Sequence, residues 1–362
     1  MTEVPSLSTS GAAPIPPQPF AAEALLPALA AHWGIEGGTF VRLASERDDT
    51  FHLRQPRLAL AGGLADAWPA GLTIKLAHPD EDREALAIQT ALLECLAGAA
   101  VPQVVRTLAG QAQVEWPGKG AAPGGGRVLR VLSWLEGEQL CRVALGAPTA
   151  GALGRALGGL DLAMARYAGP LPAGPMLWDI AHILAHAHLA EGVDARWRGL
   201  VAQALDECAA HVAPHAGALP RQIIHNDANP WNVLVDPAAP GFVTGFIDFG
   251  DVVAAPRVNE LAVAAAYHID RDDWRAVAGA MVAGYHAVAP LSAAEQAMLP
   301  VLIAARHALT LMVTEWRAGL HPENRAYILR NHPAALGGLR RLLALPLAER
   351  QAWARLACGE SA

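Results

Sequence analysis

The sequence predicts an α+β fold of two lobes, in which a small β-rich N-lobe precedes a larger helical C-lobe with an embedded β-hairpin. Three observations lead to this prediction. The chain of 362 residues exceeds the comfortable size of one hydrophobic core. Short runs typical of strands dominate up to residue 134, and helical runs dominate from residue 135. We therefore predict an N-lobe over 20–134, a C-lobe over 135–362 and a disordered Pro/Ser/Ala-rich lead-in over 1–19.

The N-lobe elements follow from short local patterns. Apolar residues recur at helical spacing over 20–33, and Gly34 ends that helix. An acidic first turn after Pro79 predicts a helix over 79–97. The connection over 55–71 shows no clear pattern, and the Gly-rich segment 117–126 indicates a loop. The predicted strands are 39–43, 50–54, 72–77, 101–108 and 127–133.

Helical periodicity is strong in the C-lobe, and a single β segment interrupts it. That segment, residues 232–248, contains two apolar runs separated by residues 237–241, which predicts a β-hairpin. The predicted helical runs are 149–167, 178–190, 194–212, 256–268, 272–288, 293–318 and, with breaks, 323–356.

Composition and charge narrow the class of protein. With 27 Lys and Arg against 34 Asp and Glu, the formal net charge is −7; 17% of the residues are charged and 53% are apolar. Such a chain is neither an acidic disordered protein nor a nucleic-acid binder with a basic face, so we expect no nucleic-acid partner. The four cysteines form no C-x-x-C pair, which argues against a zinc ribbon or a dithiol redox motif.

Two stretches bear on localisation. The first twenty residues lack the basic and apolar regions of a secretion signal, so we expect a cytoplasmic protein with reduced thiols. Residues 276–294 carry no formal charge and approach the length of a membrane span. They are rich in Ala and Gly, contain His286 and are interrupted by Pro290, which favours a buried helix that ends near residue 289. We expect no membrane partner, and the oligomeric state stays open.

The strongest functional signal is the segment HNDANPWN at 225–232, followed by IDFG at 247–250. Phosphoryl transfer from a nucleotide needs a group that accepts or orients the proton of the attacking hydroxyl, two oxygen ligands for Mg²⁺ and a cation on the phosphates. Asp227 and Asn232 match the spacing of the kinase catalytic loop H-R-D-x-x-x-x-N, and Asp248 matches the metal-binding Asp of D-F-G.

The predicted hairpin gives a geometric reason for a shared metal site, because Asn232 lies at its start and Asp248 at its end. Mg²⁺ prefers hard oxygen donors and substrate phosphates. We therefore predict Asp227 as the catalytic group, Asn232 and Asp248 as Mg²⁺ ligands, and His225 as structural support of the loop. The alternative is that Asp227 and Asn232 form turns and that Asp248 caps a strand end.

Lys75 is the predicted cation. It lies in the middle of an alternating strand that precedes an acidic helix, as does the phosphate-binding lysine of a kinase small lobe. Glu84 is the best-placed partner in that helix, and Glu81 and Glu94 compete with it. The alternative is that Lys75 faces solvent on an edge strand and that these acids are solvated charges. Lys75 makes the N-lobe the predicted nucleotide-binding lobe.

Two further N-lobe segments are candidates for donor binding. The loop over 45–50 contains Ser45, and its backbone N–H groups and hydroxyl could cover the phosphates. The segment over 131–137 joins the lobes, and its backbone at Ser133 and Leu135 could pair with a purine edge. A plain connector is the alternative for this second segment.

Several C-lobe side chains are candidates for acceptor binding or for structural roles. Asp179, Asp251 and Glu260 are helix or turn caps by default, and they become cation ligands if the substrate is an amine. His182 and His186 have a spacing that can bind zinc, but no glutamate directly follows the first histidine as in H-E-x-x-H. We therefore favour core or surface roles for these histidines.

These residues together resemble the aminoglycoside phosphotransferase/choline kinase superfamily, whose usual catalytic loop reads H-G-D-x-H-x-x-N. Here Asn226 and Asn229 replace the Gly and the second His, which is similar to the hydroxylysine kinase branch. Other similar segments are S-E-R-D at 45–48, I-D-F-G-D at 247–251 and N-E-L-A-V at 259–263.

The resemblance covers roughly residues 20–345. It implies a two-lobed protein-kinase-like fold, an active site between the lobes, ATP or GTP as donor, Mg²⁺ as cofactor and a small hydroxylated amine as acceptor. In this family the helix acid that pairs with Lys75 would fall near Ala87.

We accordingly predict a small-molecule kinase that phosphorylates the hydroxyl of an amine or amino acid, with a hydroxylysine-like acceptor. Homoserine, choline, ethanolamine and aminoglycosides are alternative acceptors. A catalytically silent nucleotide-binding module of the same fold is a second alternative, although such a module would not need Asp227, Asn232, Asp248 and Lys75 together. A metal-dependent hydrolase is a third alternative, and it leaves Lys75 without a role.

Overall fold

The computed structural model describes residues 20–45, 48–58, 68–117, 126–174, 176–239 and 241–360. The chain divides into two compact units, one ending at Glu136 and the other beginning at Gly137. The predicted lead-in over 1–19 lies outside the described residues. So do residues 46–47 of the predicted phosphate loop, 59–67 of the connection and 118–125 of the predicted Gly-rich loop.

A five-stranded antiparallel sheet forms the centre of the first unit, in the order β1-β2-β3-β5-β4. Its strands are β1 (Ile35–Arg42), β2 (Asp49–Leu58), β3 (Leu72–Leu76), β4 (Val114–Trp116) and β5 (Arg127–Ser133). The strand β2 extends to Leu58, into the predicted connection, and its pairing with β1 shifts near Gln55, whose φ of +46° is left-handed.

The predicted strand over 101–108 is wrong, and β4 was not predicted. Residues 103–105 do lie along the edge of β5, where Val105 N donates to Val131 O at 2.9 Å, but the only pairing assigned is an isolated bridge from Val104 to Leu132. A turn closed by the bond from Thr107 N to Gln111 O then redirects the chain. The edge of β5 is therefore shared between an irregular segment and the short strand β4.

Helices cover both faces of this sheet. Leu72, Ile74 and Leu76 of β3 point to one face and pack against the helix α1 (Leu26–Trp33) and the 3₁₀ turn before it. Lys75 lies between them in the alternation. The helix α2 (Arg83–Cys95) packs on the other face through Leu86.

The start of α2 differs from the prediction. The helix begins at Arg83 rather than at residue 79, because the Asp82 carboxylate accepts from Glu84 N at 2.9 Å and so caps it. Glu84, not the acids at 80–82, is the acidic residue of the first helical turn.

Helices dominate the second unit, as predicted. The helices are α3 (Ala147–Met164), α4 (Ala195–His211), α5 (Val258–Ala266), α6 (Trp274–Val288), α7 (Ala293–Leu320), α8 (Arg325–Ile328), α9 (His332–Leu343) and α10 (Leu347–Ala357). The predicted run over 178–190 is a 3₁₀ helix, Ile180–Gly192. Shorter 3₁₀ turns are Leu140–Arg142, Ala213–Ala218, Phe249–Asp251, Pro322–Asn324 and Leu329–Asn331.

Two helices of this unit bear on the question of a membrane span, one because the sequence raised it and one because of its length and hydropathy. The helix α6 ends at Val288, so the predicted helix end near residue 289 is confirmed, and this helix buries one face rather than its whole surface. The helix α7 is long and apolar enough to cross a membrane, but 89% of its most apolar stretch is buried inside the protein. A core helix of a folded protein has both properties.

Two small sheets, rather than the single predicted hairpin, lie among the helices of the second unit. The predicted hairpin is confirmed as β8 (Val233–Val235) and β9 (Val243–Phe246). The strand β6 (Glu138–Gln139) adds a third strand to it. The strands β7 (Arg221–Ile224) and β10 (Val253–Pro256) form a separate antiparallel pair that was not predicted.

Candidate active site

The two sheets place the predicted functional segments in neighbouring loops. The first loop, 225–232, leaves β7 and enters β8, and the second, 247–252, leaves β9 and enters β10. Ile247 N donates to Asn232 O at 2.9 Å, so the ends of the loops lie side by side. Both loops contain a left-handed residue, Asn226 with φ of +64° and Asp248 with φ of +65°. Asn and Asp adopt this conformation more readily than other non-glycine residues.

The Asp227 carboxylate is held firmly by amides of its own loop. Asn229 Nδ2 and Asn232 Nδ2 each donate to Asp227 Oδ2 at 2.8 Å, and Asn232 Nδ2 also lies 3.0 Å from Asp227 O. The other oxygen, Oδ1, lies 3.5 Å from a guanidinium nitrogen of Arg306. The Asp227 side chain is 20% exposed, so an incoming hydroxyl group can reach it.

Burial raises the pKa of Asp227 to about 6. The Arg306 cation and the Asn229 amide oppose this increase, and the nearby charges of Asp248 and Glu260 add to it. A carboxylate with this pKa is mostly ionised at neutral pH and is a stronger base than an exposed aspartate. The direction of this pKa change is the one that the predicted role of Asp227 as proton acceptor calls for.

Asn232 and Asp248 fit the requirements of a Mg²⁺ site. Because the Asn232 amide nitrogen donates toward Asp227, the amide oxygen is the free end of that side chain. Asp248 follows Ile247, whose backbone is bonded to that of Asn232. An amide oxygen and a carboxylate are both hard donors of the kind that Mg²⁺ prefers. These two residues could therefore hold the metal.

His225 connects the two loops from a fully buried position. Its Nδ1 accepts a hydrogen bond from Asp227 N at 3.2 Å, and its Nε2 lies 3.0 Å from Ile247 O. Because a carbonyl oxygen can only accept a hydrogen bond, Nε2 carries the hydrogen and donates it. The imidazole is therefore neutral, and burial lowers its pKa accordingly. Its ring packs edge-on against Phe249 at 4.6 Å.

Two of the predicted acceptor ligands are engaged in structural contacts. Glu260 is 0% exposed and its Oε2 accepts from Asn226 N at 2.9 Å, while burial raises its pKa to about 7. Asp179 is also buried; it caps Ala181 N at 2.8 Å and lies 2.9 Å from His182 Nδ1. Asp179 is thus a helix cap, which is the alternative given for it, and Glu260 bonds the backbone of the 225–232 loop; binding of either carboxylate to a substrate stays a prediction. Asp251, which is half-buried at the end of its 3₁₀ turn, stays a candidate.

No group of three or more His, Cys, Asp and Glu side chains placed to hold a metal ion occurs in the part of the chain that the structure describes. The zinc-like spacing of His182 and His186 thus receives no support from the structure. His182 pairs with Asp179, and His186 is buried.

The predicted donor-binding residues of the first unit differ in their contacts and exposure. Lys75 Nζ lies 3.7 Å from Asp48 Oδ2, so the structure provides an acidic partner from the loop before β2. Glu84 is exposed, as is Ser45.

Ser133, the last residue of β5 and part of the segment predicted to pair with a purine, is buried and already engaged. Its N–H donates to Gln103 O and its hydroxyl oxygen accepts from Gln103 N, both at 2.8 Å. These two groups are therefore not free to pair with a purine, which corrects the prediction for Ser133. Leu135 is half-buried and stays a candidate.

Sequence reasoning missed the residues that surround Asp227 from outside its loop. Arg306 of α7 donates to Trp178 O at 3.0 Å and lies over the Trp178 ring at 5.2 Å. Tyr267, just after α5, also interacts electrostatically with Arg306 through its side chain. Arg306 is a lone arginine in the middle of a long apolar helix, a signal that indicates a buried cation but does not identify Asp227 as its partner.

Proteins of similar sequence are found among small-molecule kinases. Residues 64–300 match the phosphotransferase enzyme family, APH. Hydroxylysine kinase from Mus musculus is 27% identical over 214 residues, which cover 56% of this chain and 57% of that protein. Homoserine kinase from Methylobacterium radiotolerans is 35% identical over 225 residues, which cover 60% of this chain and 65% of that protein. This chain therefore spans less than two thirds of the length of the curated relatives it matches.

Solved structures show the same fold. A microcompartment-associated aminopropanol kinase has a TM-score of 0.68 at 21% identity and covers 90% of this chain and 99% of its own. An amicoumacin kinase in complex with AMP-PNP and Ca²⁺ has a TM-score of 0.64 at 15% identity and covers 91% of this chain and 97% of its own. These likenesses confirm the predicted kinase-like fold, and the family match confirms the predicted resemblance.

Proposed function

The chain belongs to the phosphotransferase enzyme family, and we propose that it is a small-molecule kinase that transfers the γ-phosphoryl group of ATP or GTP to the hydroxyl of an amine or amino acid. The observation that best supports this proposal is that Asp227, Asn232 and Asp248 lie in two adjoining loops. One residue of this set suits proton acceptance and the other two suit Mg²⁺ binding.

In the proposed reaction, the acceptor oxygen forms a bond to the γ-phosphorus, and the bond from that phosphorus to the β-phosphate bridging oxygen breaks. Nucleoside diphosphate leaves with the bridging oxygen. Asp227 Oδ1 receives the hydroxyl proton, because Oδ2 already accepts two amide hydrogen bonds. Catalysis then depends mainly on orienting the hydroxyl and on neutralising charge.

Asn232 and Asp248 would hold Mg²⁺, which when bound neutralises charge on the phosphate oxygens. We assign Lys75 to the α- and β-phosphates of the donor, with Asp48 rather than Glu84 as the acid that orients it. Ser45 and the backbone at Leu135 are proposed donor contacts.

For the acceptor, we propose a hydroxylated amino acid. The relatives named hydroxylysine kinase and homoserine kinase are both named after amino acids that carry a hydroxyl group. The half-buried Asp251 is the proposed ligand of the amino group. Choline, ethanolamine and aminoglycosides remain alternative acceptors, and a cytoplasmic location stays a prediction.

A test measures release of nucleoside diphosphate with a panel of amino alcohols and hydroxylated amino acids, with ATP and GTP in parallel. We expect Asp227→Asn to lower kcat by about 10²–10⁴-fold, the usual contribution of a general base, while nucleotide affinity stays nearly unchanged. Asp236→Asn is the matched control, because Asp236 is exposed in the hairpin turn and only caps Ala238 N there. Turnover that survives in the Asp227→Asn variant would refute the assignment of the base.

A further inference from the structure

Arg306 is a buried cation in the core helix α7, and its side chain is only 4% exposed. Removing a guanidinium from water carries a large free-energy cost, which close partners must offset. Arginine suits such a position because its planar group donates several hydrogen bonds in fixed directions. The identity of its partners therefore indicates what the residue does.

Three contacts fix the position of the guanidinium. Arg306 donates to Trp178 O at 3.0 Å, its charge lies 5.2 Å above the Trp178 ring, and it interacts electrostatically with the Tyr267 side chain. Trp178 precedes the 3₁₀ helix Ile180–Gly192, and Tyr267 follows α5. Because these partners belong to different elements, the guanidinium cannot follow the movement of any single loop.

The fourth contact is with Asp227, whose two carboxylate oxygens have different surroundings. Oδ2 accepts from the amides of Asn229 and Asn232 at 2.8 Å each. Oδ1 lies 3.5 Å from Arg306, which is longer than a close hydrogen bond between charged groups. The Arg306 cation thus attracts Oδ1 but forms no short hydrogen bond with it, so Oδ1 can still accept a proton.

We propose that Arg306 is a positioning residue for Asp227. The loop amides hold the carboxylate at Oδ2, and Arg306 attracts it at Oδ1, so the plane of the group is fixed from both ends. Oδ1 is then presented to the acceptor hydroxyl in one orientation. This inference rests on the proposed function, and it gives Arg306 no contact with donor or acceptor.

The test compares Arg306→Met and Arg306→Lys with Arg350→Met. Arg350 is the matched control, because it is 1% exposed and forms a two-bond ion pair with Glu207 at 2.7 and 2.8 Å between α4 and α10. For each variant, kcat per folded molecule, both KM values, nucleotide affinity and thermal unfolding are measured.

We expect Arg306→Met to lower kcat by about 100-fold, the effect of a small misplacement of a reacting group. Both KM values should stay within about threefold, because only the transition state depends on the orientation of Asp227. Arg306→Lys keeps the charge but lacks the planar guanidinium group, so its kcat should be about tenfold higher than that of Arg306→Met. Arg350→Met should lower the unfolding temperature and leave kcat per folded molecule unchanged.

Equal kcat per folded molecule in Arg306→Met and Arg350→Met would overturn the proposal, since Arg306 would then act in packing alone. A raised acceptor KM with unchanged kcat would also overturn it. If Arg306→Met does not fold, a folded Arg306→Lys decides: lowered kcat supports positioning, and wild-type kcat refutes it. If the wild-type protein phosphorylates no hydroxyl acceptor, the proposed function itself is refuted. If the wild type is active and the Arg306 variants are equally active, only the positioning role of Arg306 is refuted.

Discussion

Two helices of the second unit cross so closely that the sequence needs glycine at the contact. A Cβ atom on Gly154 of α3 would lie 2.0 Å from Met281 O and 2.8 Å from Tyr285 N of α6. Both neighbours are backbone atoms, so no side-chain rotation can relieve the overlap. Because real Cβ atoms stay at least 3.0 Å from such neighbours, Gly154→Ala would force the helices apart by about 1 Å in a core that is packed like a crystal.

The expected loss of stability follows from two opposing effects. Overpacking a core costs about 1–3 kcal/mol, and a clash with backbone lies at the upper end of that range. Alanine regains about 1 kcal/mol of helix propensity relative to glycine. The net loss is therefore about 2 kcal/mol, which corresponds to a fall of about 4–8 °C in the unfolding temperature for a unit of this size.

The assay is thermal and urea unfolding followed by circular dichroism, with Gly159→Ala as the matched control. Gly159 lies on the same helix, is exposed, and a Cβ there meets nothing within 4 Å. This control should gain up to about 1 kcal/mol from helix propensity. If the two variants shift in the same direction by similar amounts, the close crossing of α3 and α6 is not what keeps glycine at Gly154.

Two more predictions concern single residues of the second unit. Asn226→Gly should keep kcat and stability close to the wild type. Asn226→Ala should destabilise the protein by about 1–2 kcal/mol, which is the cost of the left-handed conformation for an ordinary residue. Urea unfolding and kcat are measured for both variants, and equal behaviour of the two would contradict the reasoning. Burial lowers the pKa of His268 to about 4, so the unfolded chain binds a proton near pH 6.5 that the folded protein does not, and His268 disfavours folding progressively as pH falls from about 6.5 toward 4. Between pH 7 and pH 5 the unfolding free energy of the wild type should therefore fall by about 2 kcal/mol relative to His268→Gln, and parallel pH profiles of the two proteins would refute this.

The candidate site could be predicted from the sequence where its residues lie close together along the chain. Asp227 and Asn232 belong to one loop, and the hairpin that brings Asp248 to them is a local structure with clear apolar runs. The strands β7 and β10 were missed because each has four residues and they pair across about thirty intervening residues. Nothing in a four-residue pattern specifies so distant a partner.

Tertiary packing decides the roles that sequence reasoning left open or assigned differently. Glu260 and Asp179 are acidic residues near the predicted motifs, and only the structure shows that Glu260 bonds the 225–232 loop and that Asp179 caps a 3₁₀ helix. Arg306 lies 79 positions after Asp227 in the sequence. Its contact with Asp227 arises because the core helix α7 packs near the catalytic loop, and no local pattern encodes such packing.

The two small sheets explain why the loops at 225–232 and 247–252 are held together so firmly. Antiparallel pairing of β8 with β9 brings the end of the first loop to the start of the second. Pairing of β7 with β10 then joins the start of the first loop to the end of the second. Since each loop is fixed at both ends, the frame can hold Asn226 and Asp248 in left-handed conformations that a free loop would relax. His225 bonds the two loops between these fixed ends, so the orientation of Asp227 depends on the frame as well as on its own hydrogen bonds.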